Sequence, residues 1–316
     1  MMPQTTASPA ELAEAYALCR AVAKSKAKNF YYAFVALPPA RRDAICAIYA
    51  FMRKADDIAD DPTLPRDERR RQLDEWFSAW QRVHEGEPSN DLVFLAVSDA
   101  IARFEIPVSL LEQLVAGVAT DLRPASNNEP DTYATFKDLY DYCYLVASVV
   151  GLVCIHIFGY SDPSAEKLAE ETGVAFQLTN ILRDVAEDAG NHRVYLPLEY
   201  LKEHQVTVES LLNRPAGAPP TAQERALLAS IGERAENFYR SAEKLLPLIS
   251  PESRPALWVL VTIYHGLLKR IRRANYDVFS SRASVPRVQK LGILAVGQAR
   301  MALARMPLRR ESPLNG

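Results

Sequence analysis

An all-α chain is predicted by three properties of the sequence. Glycine is sparse, twelve in 316 residues. Long segments repeat apolar residues at helical spacing instead of alternating as strands do. Proline and glycine cluster between those segments, where they punctuate the chain.

Taken in order, the first helix is expected over 10–25. Pro38-Pro39 then introduces a second, with Pro39 suited to a first helical turn and Ala44, Ile45, Ile48, Phe51 and Met52 on one side. Further helices are expected over 67–84, 91–103, 108–121, 135–158, 163–187, 197–203, 221–246, 255–274 and 288–305. The breaks are Asp61-Pro62-Thr63-Leu64-Pro65, Glu85-Gly86-Glu87-Pro88, Arg123-Pro124, the Pro- and Gly-rich run from Arg214 to Pro220, and Ser250-Pro251. None is long enough to demand a boundary, so a single helical bundle around a central cavity is expected over 1–316, with its core in 10–305. Tyr142 to Tyr160 carries no charge apart from His156 and approaches the length of a membrane span. Ser148 and Gly151 interrupt it, and Asp138 and Asp141 precede it, so it reads as a central bundle helix that is apolar all round.

Charge is nearly balanced, 37 basic against 39 acidic residues, so no global field recruits nucleic acid. Met1 to Glu11 lacks a charged stretch followed by an apolar one, so no signal peptide is expected. The four cysteines show no metal-binding spacing, and Cys19, Cys46 and Cys154 read as core residues of a cytoplasmic protein. The C-terminal arginines 300, 305, 309 and 310, beside Met301 and Leu303, leave two readings open: a solvated amphipathic helix, or peripheral contact with the inner face of a membrane. A monomer or a homodimer fits equally.

The chemistry lies in two acidic clusters. One is Asp56-Asp57-Ile58-Ala59-Asp60-Asp61; the other runs from Asn180 through Arg183 and Asp184 to Asp188. Residues four apart share a helix face, so Asp56 stacks with Asp60, and Asn180 with Asp184 and Asp188. Like charges so placed cost a helix about 0.2–0.5 kcal/mol per pair. A hard divalent cation shared with a phosphate-bearing substrate requires oxygen ligands of this kind. Arg53 and Arg183 stand beside the carboxylates and supply donors to a diphosphate. Diphosphate departure leaves a carbocation, which an apolar aromatic cavity would protect from water; Phe30, Phe34, Tyr49, Tyr142, Phe176 and Tyr276 are among the aromatics available.

Asp56-Asp57-Ile58-Ala59-Asp60 following Tyr49-Ala50-Phe51-Met52-Arg53 resembles the first aspartate-rich motif of squalene and phytoene synthases. Gln177-Leu178-Thr179-Asn180-Ile181-Leu182-Arg183-Asp184-Val185-Ala186-Glu187-Asp188, followed by Arg193-Val194-Tyr195-Leu196-Pro197, resembles the second. Tyr142-Cys143-Tyr144-Leu145-Val146-Ala147 is similar to the central tyrosine motif, and Asn275-Tyr276-Asp277-Val278-Phe279 to the late segment that closes the pocket. The resemblance implies head-to-head joining of two prenyl diphosphates. It assigns Asp56, Asp60, Asn180, Asp184 and Asp188 to a Mg²⁺–diphosphate cluster, with Mn²⁺ as a substitute. Arg53, Arg183 and Arg193 would hold phosphate oxygens, with Gln177 lining the site. Tyr142 would sit near the developing cation, where its phenol could carry a proton. Phe30, Phe34, Tyr49, Ala147 and Tyr276 would line the prenyl pocket.

Two positions depart from the family pattern. Ala27-Lys28-Asn29 stands where serines are usual before the phenylalanine, which makes Lys28 the candidate phosphate contact there. Ser148 replaces a glycine and is expected to narrow the cavity or to bond back to its own helix. Asp57, Asp61 and Glu187 are expected to pair with arginines or face water. The resemblance leaves the substrate open between C15 farnesyl diphosphate, giving presqualene diphosphate or squalene, and C20 geranylgeranyl diphosphate, giving phytoene. Farnesyl diphosphate is the expectation, in the style of bacterial hopanoid or carotenoid pathways. NADPH is left open as a reductant, since no motif indicates it.

Overall fold

The computed structural model describes residues 7–120, 122, 131–215 and 217–304. Fourteen α-helices are present among them: α1 (Pro9–Lys26), α2 (Lys28–Val35), α3 (Pro39–Ala59), α4 (Arg66–His84), α5 (Leu92–Phe104), α6 (Val108–Thr120), α7 (Phe136–Cys143), α8 (Val149–Phe158), α9 (Ser164–Gly190), α10 (Leu198–Glu203), α11 (Val208–Leu212), α12 (Ala222–Leu245), α13 (Arg254–Arg273) and α14 (Arg287–Ala304). Helix starts follow local chemistry. Ser8 with Glu11, Thr135 with Asp138 and Thr221 with Glu224 each form a reciprocal capping box, and Pro39 sits in the first turn of α3.

Four elements depart from the sequence expectation. Helices α2 and α11 are not marked by the sequence pattern, being only eight and five residues long. The expected helix over 135–158 is three segments, α7, a π-helix at Tyr144–Ser148, and α8. A two-residue parallel ladder, β1 (Asp131–Thr132) with β2 (Arg193–Val194), pairs Asp131 with Arg193 and Thr132 with Val194. It ties the chain after α9 to the start of α7, helped by the Leu198 amide donating to the Tyr133 carbonyl at 2.8 Å.

Helix α9 packs along α12 and against the π-helix, α8 and α13, while α1, α3 and α5 pack on one another. Phe51 of α3 is buried between Trp76 and Trp80 of α4, at ring separations of 4.6 and 5.2 Å, so it is a core residue and not a cavity wall. The apolar stretch Phe136–Phe158 is 23 residues long, and half of its most apolar window is buried against α6 and α9. That packing explains its composition as a bundle helix.

The π-helix has an identifiable contact. Gly173 of α9 lies so close that a Cβ there would stand 2.5 Å from the Ser148 Cα and 2.7 Å from its amide nitrogen. The fully buried Ser148 donates its hydroxyl to the Glu170 carbonyl of α9 at 2.6 Å. This corrects the expectation of a bond within its own helix: the widened turn carries Ser148 across to its neighbour. Gly173→Ala should therefore cost about 1–3 kcal/mol, since backbone and not a flexible side chain must move. Gly190, with nothing within 4 Å of a Cβ, is the control. Equal melting temperatures for Gly173→Ala and Gly190→Ala would refute the contact.

Candidate active site

The inner face of α9 buries Leu178, Ile181, Leu182 and Val185. The adjoining stripe, Gln177, Asn180, Asp184 and Asp188, is half-buried. Asn180 Nδ2 donates to Gln177 Oε1 at 3.3 Å, and Asn180 Oδ1 is buried without a hydrogen-bond partner. Asp184 takes Arg183 on both carboxylate oxygens, with Arg183 Nε donating to Oδ1 at 2.8 Å. A second guanidinium, Arg282 from the loop after α13, donates to Asp184 Oδ1 at 2.9 Å through Nε and at 2.7 Å through Nη2, and reaches Glu187 at 3.1 Å. Glu187 thus pairs with an arginine, as expected.

One helical turn on, burial pushes the Asp188 carboxyl up to about 7, helped by the charges of Asp184 and Glu187 and opposed by Arg193 and Arg183. Strand β2 brings Arg193 to this carboxylate. Asp188, Arg193, Val194, Tyr195 and Leu196 line a narrow cavity, and Arg193 Nη1 donates to Tyr195 Oη at 3.4 Å. The Tyr195 ring stacks on Tyr142 at 5.1 Å, and Tyr133 stands 5.3 Å from Tyr142. The proposed proton carrier thus belongs to a cluster of three half-buried or buried tyrosines linked through Arg193 to the second acidic motif.

The first motif closes α3. Arg53 pairs with Asp57, Asp56 is half-buried, and Asp60 is exposed, its amide donating to the Asp56 carbonyl at 2.8 Å. Asp61 is held below the usual carboxylate range by the Thr63 hydroxyl and amide. Helices α3 and α9 both pack on α8.

Among the pocket candidates, Phe30 stands 5.6 Å from the ring of Tyr264, which stacks on Phe176 at 4.6 Å. Phe34 is buried edge-on to Tyr49 at 6.0 Å. Ala147 is half-buried on the π-helix. Tyr276 is buried, with φ 57°, and its hydroxyl rests on α12 at Gly232, where a Cβ would lie 2.5 Å away. The Lys28 side chain and arginines 305, 309 and 310 lie outside the described residues.

Sequence reasoning missed Arg282, Tyr264, Tyr133, Tyr195 and Lys290. Arg282 sits in an irregular Ser-rich loop with no spacing signal. Tyr264 falls on the buried stripe of α13 and reads as core; burial pushes its phenol up to about 12, with the Arg183 charge and Asn180 opposing. Lys290, in the first turn of α14, is pushed down by burial and by the charges of Arg287 and Arg183. Three cations therefore gather near Asp184 and Asp188: Arg183, Arg193 and Arg282.

Among the described residues, no three His, Cys, Asp or Glu side chains form a metal cage. The donors present are paired carboxylates and one unsatisfied amide oxygen. Mg²⁺ keeps waters and binds through one or two carboxylates plus substrate phosphates, so this donor set fits a cation that arrives with a diphosphate.

Residues 12–289 match the squalene/phytoene synthase family. The chain is 35% identical to 15-cis-phytoene synthase of Synechococcus elongatus over 92% of its own length and 94% of that protein's. It is 32% identical to chloroplastic phytoene synthase 1 of Arabidopsis thaliana, covering 95% of this chain and 71% of the plant protein. Among solved structures it resembles a ligand-bound dehydrosqualene synthase, with a TM-score of 0.79 and 31% identity over 93% of this chain and 98% of the other. It also resembles squalene synthase HpnC from Alicyclobacillus acidocaldarius, with a TM-score of 0.76 and 27% identity over 85% and 97%.

Proposed function

The chain belongs to the squalene/phytoene synthase family of prenyltransferases, and we propose that it joins two farnesyl diphosphates head to head to presqualene diphosphate. The observation that carries the diphosphate chemistry is the meeting of Asp184 and Asp188 with Arg183, Arg193 and Arg282. In the reaction, the carbon–oxygen bond of one substrate breaks and its electron pair leaves with diphosphate. The allylic cation is captured by the double bond of the second substrate, and one proton is lost as the cyclopropane closes.

The arginines would supply fixed positive charge to the departing oxygens. Asp56, Asp60, Asn180, Asp184 and Asp188 would hold Mg²⁺, with Mn²⁺ as its substitute, which would supply charge neutralisation to the leaving diphosphate. The tyrosine cluster would offer ring faces, each worth about 0.5–2 kcal/mol to a nearby cation, and Tyr142 would take or return the proton. The contiguous rings of Phe30, Tyr264 and Phe176 would supply the aromatic wall that keeps water from the cation.

Support for the C15 chain comes from Phe34, buried edge-on to Tyr49 ahead of the first motif, and from the likeness to squalene and dehydrosqualene synthases. A second reading, phytoene from geranylgeranyl diphosphate, is favoured by the names of the curated relatives. The purified protein, assayed with each substrate with and without NADPH, separates them. Farnesyl diphosphate should give presqualene diphosphate when NADPH is absent; squalene on its addition would identify the reductive step. Each further buried CH₂ is worth about 0.8 kcal/mol where it fits, so Phe34→Ala should shift yield toward the C20 substrate. Efficient phytoene formation by the unmodified protein, with little product from C15, would select the second reading.

A further inference from the structure

Arg282 meets Asp184 and Glu187 from a segment whose backbone is strained. Asn275 and Tyr276 are consecutive non-glycine residues at φ 52° and 57°, a conformation that persists only where its surroundings enforce it. Three contacts hold this segment against α12 and the chain before it. The Tyr276 hydroxyl rests on Gly232 of α12. Phe279 is buried under the guanidinium of Arg214, whose carbon stands 3.9 Å from the ring centroid. Ser280 donates its hydroxyl to the Gly217 carbonyl at 3.4 Å. Beyond Arg282, Val285 is buried and anchors the far end. The Arg282 side chain itself is 56% exposed, so its placement depends on these anchors, the nearest being Phe279 and Val285, each three residues away.

Arg214, between α11 and α12, is fixed on its other edges. Nη1 pairs with Glu224, and Nη2 donates to the Ala218 and Pro219 carbonyls at 3.0 and 2.5 Å. Glu224 is in turn the capping-box residue of α12 and accepts from the Thr221 amide at 2.6 Å. The Arg214 and Glu224 side chains are only 11% and 6% exposed. The guanidinium is therefore neutralised where it stands and adds no net charge to the diphosphate site. What the clamp fixes is the plane of the guanidinium, and a planar cation laid on a ring face is a directional contact. Arg214 Nε is buried without a partner, a cost that the pairing on the other nitrogens offsets.

We propose that Arg214 is a positioning residue of the diphosphate site: by clamping Phe279 it sets Arg282 over Asp184. The inference rests on the reading of Asp184, Arg183 and Arg282 as that site, and stands apart from the choice of prenyl substrate. Arg214 acts through another residue, so its influence on diphosphate exists only while Arg282 is present.

The test is a double-mutant cycle on the full chain, read by calorimetric binding of inorganic diphosphate in the presence of Mg²⁺. Arg282→Ala is expected to weaken binding roughly tenfold or more. Arg214→Gln, with Arg282 intact, should weaken it about threefold or more, and should change it by less than about twofold when added to Arg282→Ala. Phe279→Leu keeps an apolar side chain and the Arg214–Glu224 pair but removes the ring face; it should show the same dependence on Arg282, and it serves where Arg214→Gln does not fold. A residue that only holds the fold together would lower the melting temperature with affinity unchanged, or weaken binding equally in both backgrounds, and either result overturns the proposal. Parent-like binding by both Arg214→Gln and Phe279→Leu, with Arg282→Ala impaired, overturns the proposal alone. A parent that does not bind diphosphate, or an Arg282→Ala variant that binds it equally well, overturns the reading of the site and the proposal with it.

Discussion

Asp184→Asn is expected to lower turnover by about 10³-fold or more, since each 1.36 kcal/mol lost from the transition state is tenfold in rate and a metal–diphosphate clamp supplies several kcal/mol. The sequence alone suggests that neutralising either stacked carboxylate would relieve repulsion and leave the fold untouched. For Asp184 the structure reverses that expectation. Its carboxylate is the shared partner of Arg183 and Arg282, and Arg183 is only 18% exposed. Hydrogen bonds to charged groups are worth about 1.5–3 kcal/mol, so Asp184→Asn should melt earlier while remaining folded. Asp188 should behave in the opposite way. Its folded carboxyl is raised to about 7 from an ordinary value near 3.8, so the folded state binds the proton more tightly than the unfolded chain. Stability is therefore lost as pH rises between those values. Without Mg²⁺ and diphosphate, Asp188→Asn should be more stable than the parent at pH 8 and no more stable at pH 4, yet inactive. Turnover near that of the parent in both variants would end the assignment of a metal–diphosphate site.

Tyr142→Phe is the second large effect: turnover at saturating substrate is expected to fall by roughly 10²–10⁴-fold, the usual range for a group that transfers a proton. The substitution keeps the ring, and with it the stacking on Tyr195 and the contact with Tyr133, so melting temperature should change little. A phenol acting on the bound substrate lowers kcat, while one that only shapes the cavity changes KM. Tyr195→Phe is the informative comparison: its hydroxyl accepts from Arg193, so its loss should disturb diphosphate affinity first. An unchanged kcat in Tyr142→Phe would reduce that residue to a wall.

The helical class and most element boundaries were legible in the sequence because apolar spacing and capping residues are local. Ser8-Glu11, Pro39, Thr135-Asp138 and Thr221-Glu224 mark helix starts without reference to anything distant. Both acidic motifs were legible for the same reason: carboxylates four apart on a helix are a local fact, and one that opposes helix stability. Only the tertiary structure decided who meets them. Arg282 lies 98 residues beyond Asp184, and Tyr133 reaches Tyr142 and Tyr195 through a ladder joining 131–132 to 193–194. The π-helix likewise meets the close approach of Gly173, which no pattern within 142–160 announces. Sequence periodicity determines which face of a helix is buried. Which side chain from a distant segment fills the space opposite is set by packing, because that choice depends on how the helices and loops come together in three dimensions.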